Sequence, residues 1–144
     1  MQIRRIDDRI SVSPQIDPAD VTTLAAEGFL AIINNRPDAE EAGQPEGAAV
    51  GHAAETLGLD YTAIPIDHSG FSHAKIEAMR AALDAAGGPV LAFCRSGTRS
   101  AHLWALAEAK AGGDPETITA KAAAAGYDLS GIRPLLDKLS SGRA

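Results

Sequence analysis

The one cysteine of the chain stands in a segment whose residue types and spacing suit nucleophilic chemistry. Residues 94–100 read CRSGTRS, and Cys94 directly follows the apolar run VLAF. A cysteine reacts as its thiolate, which backbone N–H groups, arginine side chains and a helix N-terminus all stabilise. Gly97 can adopt a positive φ angle, so the backbone can curl there and direct N–H groups to one point. We therefore expect Cys94 to be the nucleophile of an enzyme, held in an anion-binding loop between a strand and a helix.

The residues after Cys94 could bind an anion in complementary ways. Arg99 falls in the first turn of the expected helix, where its guanidinium could hold two oxygens of a tetrahedral group. Ser100 could donate a hydrogen bond to the sulfur. The other loop residues expected to bind an oxyanion are Arg95, Ser96, Gly97 and Thr98. A free cysteine is often only a small buried apolar residue, but two arginines, a glycine and a helix start beside Cys94 favour the catalytic interpretation.

Two further polar residues follow other apolar runs and are candidates for the same site. A carboxylic acid at Asp67 could protonate a leaving group; alternatively, Asp67 is an exposed turn residue that caps the next segment. Arg36 could pair with a surface carboxylate, but we expect it to extend the anion site and bind an oxyanion. The sequence leaves the role of Asp67 open.

Short apolar runs alternate with helical patterns along the chain. The runs that predict β-strands cover residues 10–13, 29–33, 60–66 and 89–93. Helices are predicted over 18–27, up to about 57, over 72–86, 99–111 and 114–125, and over 132–139. Asp17 and Ser72 are the expected N-terminal caps of the first and third helices.

The order β-α-β-α-β-α-β-α-α-α predicts an α/β fold of three layers, with a mostly parallel central sheet flanked by helices. Ligands of such sheets bind beyond the carboxyl ends of the strands. The polar residues after the strands are therefore expected to meet at one edge, although polar loops are common in any protein. We expect a single domain over residues 1–144, with a flexible tail at 140–144.

Composition limits the classes of function. The chain has 144 residues, 45% of them hydrophobic, and a net charge of −6. A nucleic-acid partner requires a basic face, so we predict none. No apolar run has the length of a membrane span or the pattern of a secretory signal, which favours a cytoplasmic protein without membrane association. A single cysteine forms no internal disulfide and the four histidines match no zinc pattern, so the sequence implies no metal and no cofactor.

Together these motifs resemble the cysteine-dependent superfamily of protein tyrosine and dual-specificity phosphatases. More closely, they resemble a small bacterial family, the phosphatase-like domain of β-lactamase hydrolase-like proteins. The likeness covers most of the chain and is carried by residues 10–16, 33–38, 43–45, 64–67 and 94–100. It implies a protein tyrosine phosphatase-like fold. The site residues that it implies are Cys94 as nucleophile, Arg99 as oxyanion-binding arginine, Ser100 as the hydroxyl that stabilises the leaving thiolate, and Asp67 as general acid.

Two features depart from the phosphatase pattern. Four residues separate Cys94 from Arg99, one fewer than is usual in the superfamily, and Phe93 stands where a histidine usually precedes the cysteine. The run CRSGTR instead resembles the tighter loop of rhodanese sulfurtransferases. A shorter loop encloses less space, which suits one sulfane sulfur better than a full phosphoryl group.

Three functions follow, in order of preference. The first is sulfur transfer, in which Cys94 takes a sulfane sulfur from thiosulfate or a persulfide and passes it to a thiol. The second is hydrolysis of phosphomonoesters through a phosphorylated Cys94, with Asp67 as acid and then as base. The third is a non-catalytic anion-binding or redox-sensing module. The expected ligand is thus a small anion, and because members of the family occur fused to persulfide dioxygenases, the resemblance also implies a persulfide-metabolising partner enzyme.

Overall fold

A five-stranded sheet forms the centre of the computed structural model, which describes residues 1–142. The strands are β1 (Arg4–Arg5), β2 (Ile10–Ser13), β3 (Ala31–Asn34), β4 (Asp60–Ala63) and β5 (Val90–Phe93). Their order in the sheet is β1-β2-β5-β3-β4, and every neighbouring pair is parallel except β1 with β2. This mostly parallel sheet confirms the predicted fold class.

Helices follow the strands as the apolar periodicity predicts. They are α1 (Asp20–Ala26), α2 (Gly47–Thr56), α3 (His73–Ala85), α4 (Thr98–Lys110), α5 (Pro115–Ala124) and α6 (Arg133–Ser140), with a 3-10 turn at Ser130–Ile132 before α6. The predicted cap of α3 is confirmed, because Ser72 Oγ accepts a hydrogen bond from the Lys75 N–H over 3.2 Å. The predicted cap at Asp17 is wrong, since α1 begins at Asp20 and the Asp20 carboxylate instead accepts from the Asp17 N–H. Across residues 1–142, no helix combines the length and hydrophobicity needed to cross a bilayer.

Alternate strand residues are buried in two apolar clusters, one on each face of the sheet. In β3, Ile32 packs with residues of α1 and α2, whereas Ile33 packs with residues of α3, α4 and α6. In β5, Leu91 and Ala92 divide in the same way. The helices therefore cover both faces, which gives the predicted three layers.

Two elements differ from their predictions. Strand β1 was not expected, because its two arginines are both exposed and show no apolar alternation. Strand β4 ends at Ala63 rather than residue 66, and as an edge strand it is partly exposed. The predicted flexible tail at 140–144 begins inside α6, where Ser140 Oγ donates to the Gly113 carbonyl over 2.8 Å, and its residues 143 and 144 lie outside the described residues.

The four parallel strands end in register. Ser13, Phe93, Asn34 and Ala63 are successive partners across β2, β5, β3 and β4. Because β5 lies between β2 and β3, Cys94 emerges at the middle of the carboxyl edge, where its N–H faces the Ser13 carbonyl at 3.4 Å.

Candidate active site

The backbone after β5 curls around the sulfur of Cys94. Gly97 precedes α4 with a φ of +91°, and its N–H donates to Cys94 Sγ over 3.1 Å. Partial positive charge from the N-terminus of α4 favours an anion in the same region. Cys94 is completely buried. The predicted strand, loop and helix thus hold the cysteine as expected, with the Gly97 N–H on the sulfur.

Arg99 points inward from the first turn of α4 and is held by two partners. Its NH1 donates to the Ile66 carbonyl over 2.8 Å and to Glu40 Oε2 over 2.7 Å, and its NH2 donates to Glu40 Oε1 over 2.8 Å. The hydrogen bond to Glu40 is the main cause of a raised pKa of Arg99, and the charge of a Cys94 thiolate raises that pKa further. Both hydrogens of NH1 are used, whereas Nε–H and one hydrogen of NH2 remain for the sulfur and for a bound anion.

Glu40 is a site residue that the sequence analysis missed. Its Oε1 also accepts from Arg36 Nε over 2.8 Å, so one carboxylate joins two guanidinium groups. The hydrogen bond from Arg99 is the largest of the effects that lower the pKa of Glu40 from 4.5 to about 2. A signal for this residue was present, because Glu40 and Glu41 follow Arg36 closely and a buried arginine needs a carboxylate partner.

Arg36 is buried, and its hydrogen-bond partners all lie outside the loop that follows Cys94. Its NH1 donates to Gln15 Oε1 over 3.1 Å and its NH2 to Glu41 Oε1 over 3.0 Å, in addition to the bond from Nε to Glu40. Its side chain is 1% exposed. The structure therefore favours the ion-pair interpretation of Arg36 over the expected oxyanion binding, because each guanidinium nitrogen is committed to a neighbour within the protein.

Ser100 is buried and bonds away from the sulfur. Its Oγ donates to Asn35 Oδ1 over 2.8 Å, and Asn35 Nδ2 donates to the Ile64 carbonyl over 3.0 Å. We expected Ser100 to donate to Cys94 Sγ, but in the structure its hydroxyl donates to Asn35 instead. The physical reason is that Asn35, buried at the end of β3, carries polar atoms that need partners. Ser100 and Asn35 together tie the start of α4 to β3.

The remaining loop side chains lie on the surface. Arg95, Ser96 and Thr98 are exposed, and Arg95 NH2 lies 3.7 Å from Glu41 Oε2. Ser96 Oγ donates to Thr98 Oγ1 over 3.1 Å. Oxyanion binding by these three residues stays a prediction, and their exposure leaves them accessible to an incoming anion.

Asp67 lies at the rim, directly after Ile66, whose carbonyl holds Arg99. Its Oδ1 accepts from both the N–H and the Oγ of Ser69, and Lys75 Nζ lies 3.8 Å away. These contacts lower the pKa of Asp67, Ser69 having the largest effect. An ionised carboxylate lacks the proton that a general acid must donate, so this arrangement matches the turn-capping interpretation. The general-acid role stays a prediction.

The assembled groups can stabilise negative charge on and around one sulfur atom. A buried cysteine accepts from a backbone N–H, and an arginine fixed by Glu40 keeps one edge for the oxygens of an anion. Such an arrangement suits attack by the sulfur on an anionic centre and transfer of a group to it. Within residues 1–142, no three His, Cys, Asp or Glu side chains are grouped to hold a metal ion.

Known proteins resemble the chain over most of its length. A family model described as "Beta-lactamase hydrolase-like protein, phosphatase-like domain" matches residues 2–111. A beta-lactamase hydrolase-like protein of Agrobacterium fabrum is 41% identical over 109 residues, which make up 76% of this chain and 25% of that protein. This chain therefore spans about a quarter of the length of that relative.

Solved structures show the same fold. A candidate phosphatase from Neisseria meningitidis Z2491 is 35% identical, with a TM-score of 0.82 over 96% of this chain and 99% of that one. The structure of PTPMT1 has a TM-score of 0.75 and 15% identity, over 99% of this chain and 96% of that one. The second likeness concerns the fold alone. It confirms the protein tyrosine phosphatase-like architecture that the sequence predicts.

Proposed function

The chain belongs to the family of the beta-lactamase hydrolase-like protein, phosphatase-like domain, and from this we propose that it hydrolyses phosphomonoesters through Cys94. The family predicted from the sequence is thereby confirmed. Its description and the folds of the solved relatives support phosphate chemistry over sulfur transfer, which the sequence alone placed first.

The proposal depends on two groups that the structure fixes beside each other: the sulfur of Cys94 and the guanidinium of Arg99. Cys94 Sγ accepts from the Gly97 N–H, and Glu40 fixes Arg99 so that its Nε–H and one NH2 hydrogen stay on the side of the sulfur and a bound anion. Sulfur is anionic before it attacks phosphorus and again when the phosphocysteine is hydrolysed, and the phosphoryl oxygens carry negative charge in both steps. The donors to these atoms are in place before the reaction starts.

Two displacements at phosphorus complete the reaction. In the first, the Cys94 thiolate attacks phosphorus, a sulfur–phosphorus bond forms, and the bond to the leaving oxygen breaks with its electron pair. In the second, water attacks the phosphocysteine, the sulfur–phosphorus bond breaks, and inorganic phosphate and the thiolate are released. Arg99 binds phosphoryl oxygens in both steps.

The state of Asp67 bears on which phosphomonoesters react fastest. Hydrogen bonds from Ser69 lower the pKa of Asp67 below its usual value, so the carboxylate, which is ionised near neutral pH in any case, is held in its charged form. A leaving oxygen that needs no proton is then favoured, and phenols, with a pKa of about 10, leave as anions far more readily than alkyl alcohols. We therefore propose aryl phosphates as the preferred substrate class.

Sulfur transfer is the second candidate, and one observation favours it. The loop has four residues between Cys94 and Arg99, as in the rhodanese-like loop that the sequence resembles. In this function the Cys94 thiolate attacks the outer sulfur of thiosulfate, a sulfur–sulfur bond forms, and sulfite leaves with the bonding electrons. An acceptor thiolate then takes the outer sulfur and restores the Cys94 thiolate. A persulfide-metabolising partner enzyme belongs to this second proposal.

The two functions are separated by parallel assays on the same protein. The wild type and the Cys94→Ser variant are incubated with an aryl phosphate or with thiosulfate, and phosphate release and intact mass are measured. Phosphate release that depends on Cys94, with no gain of a sulfur atom, supports the phosphatase. A Cys94-dependent gain of one sulfur without phosphate release would replace it by the second candidate.

A further inference from the structure

Tyr127 buries a hydroxyl group that has no hydrogen-bond partner within residues 1–142. The residue is 8% exposed and lies in the turn between α5 and the 3-10 segment Ser130–Ile132. Burying a hydroxyl without a partner is unfavourable, and a native structure that retains one calls for an explanation.

The hydroxyl lies against the loop that holds the cysteine. A Cβ atom placed on Gly97 would come within 2.3 Å of Tyr127 Oη and 3.1 Å of Tyr127 Cζ. Of the Tyr127 side chain, the hydroxyl oxygen is therefore the atom nearest to the position that a Cβ at residue 97 would occupy. Gly97 is also the residue whose N–H donates to Cys94 Sγ. Any side chain at position 97 would collide with it.

Arg4 of β1 holds Tyr127 in place through two contacts. The guanidinium carbon of Arg4 lies 5.8 Å from the ring centroid, and Arg4 NH1 donates to the Ala125 carbonyl over 3.2 Å. A cation over an aromatic ring is attractive. Burial raises the pKa of Tyr127, against the opposing effect of Arg4, so the hydroxyl keeps its proton.

We propose that Tyr127 is a positioning residue, whose hydroxyl braces Gly97 so that the Gly97 N–H stays directed at Cys94 Sγ. The inference rests on the proposed function only in that the reaction needs a stabilised sulfur anion. Tyr127 lies beyond residues 2–111, the part that the family model matches.

Tyr127→Phe tests the brace, because it removes the hydroxyl and keeps the ring. The rate at which iodoacetamide alkylates Cys94 is measured across pH by intact mass, together with urea unfolding and kcat/KM on an aryl phosphate. We expect stability equal to or above that of the wild type, since an unpaired buried hydroxyl is gone. The pH of half-maximal alkylation moves up by about 0.5 to 1 unit, and kcat/KM falls about threefold to tenfold. Both changes are expected because the Gly97 N–H is no longer directed at the Cys94 thiolate.

Tyr61→Phe is the matched control. Tyr61 Oη accepts from Asn34 Nδ2 over 3.0 Å, so this variant loses a hydrogen bond and stability while its alkylation profile stays that of the wild type. A Tyr127→Phe profile that coincides with the wild type would overturn the proposal. Alkylation needs no phosphate substrate. The measurement therefore tests whether Tyr127 positions Gly97 even if no phosphate is released and the proposed function fails.

A second comparison uses Gly97→Ala with and without Tyr127→Phe. With a φ of +91° at position 97, an alanine is strained whatever its neighbours, and its methyl also collides with the tyrosine hydroxyl. Removing the hydroxyl relieves the collision alone, so it recovers part of the cysteine reactivity that Gly97→Ala loses. A double variant no more reactive than Gly97→Ala would show that the hydroxyl does not press on position 97, and the proposal would fall.

Discussion

The carboxylate of Glu40 holds Arg99 by both terminal nitrogens, at 2.7 Å from NH1 and 2.8 Å from NH2. The pair joins the loop after β3 to the first turn of α4. Because the same carboxylate also accepts from the buried Arg36, the position of Arg99 depends on a fixed three-residue network. An anion that binds the edge of Arg99 opposite Glu40 meets a guanidinium that is already oriented.

Glu40→Gln is expected to lower kcat/KM on an aryl phosphate by about tenfold to a hundredfold, because a loosened guanidinium no longer meets the phosphoryl oxygens in one geometry. Steady-state kinetics provide the measurement. Glu46→Gln is the matched control, since it makes the same chemical change at an exposed carboxylate with no capping bond. Equal kcat/KM in the two variants would remove Glu40 from its positioning role.

The free energy of unfolding is expected to decrease as the pH is lowered, because Glu40 becomes protonated. Its pKa is lowered in the folded protein from 4.5 to about 2, so the folded state binds the proton less readily than the unfolded state. This contribution is complete above about 4.5 and is lost as the pH falls towards about 2. Urea unfolding across that window should show a steeper loss for the wild type than for Glu40→Gln. Curves that run parallel for the two proteins would contradict the assignment.

Apart from the cap at Asp17, the main features set by neighbours along the chain were predictable from the sequence. The loop around Cys94 depends on a buried strand, a glycine with positive φ and a helix start, all within residues 90–100. The cap at Ser72 likewise depends on a bond only three residues long. Caps and anion-binding loops are formed by residues close together in the chain, so their residue types can be recognised in the sequence.

Contacts between distant residues were not predictable. Glu40 and Arg99 are 59 positions apart, and Ser100 and Asn35 are 65 apart. Their pairing depends on β5 lying beside β3, which the order of elements along the chain does not specify. Ser100 was accordingly expected to bond to the sulfur, because its true partner is visible only in the assembled sheet.

Ser100→Ala is expected to reduce the free energy of unfolding by about 1 to 3 kcal/mol, because Asn35 Oδ1 loses its donor in a buried site. Ser96→Ala, at an exposed position of the same loop, should change it by less than about 0.5 kcal/mol. Urea unfolding measures both. Unchanged stability of Ser100→Ala with a large loss of kcat would instead support the role of the hydroxyl at the sulfur.

Asp67→Asn is expected to reduce the rate on an aryl phosphate by less than about tenfold, because the wild-type carboxylate is ionised and donates no proton to such a leaving group. Rates on an aryl and an alkyl phosphate are compared for both proteins. A loss of about a hundredfold or more on the aryl substrate would establish Asp67 as the general acid and require its bonds to Ser69 to break during the reaction.

The most direct test of the central claim is phosphate release from an aryl phosphate by the wild type and by Cys94→Ser, with intact mass recorded during turnover. The predicted result is repeated turnover by the wild type, a transient mass gain of one phosphoryl group, and loss of both in Cys94→Ser. Phosphate release that continues undiminished without the Cys94 sulfur would contradict the account.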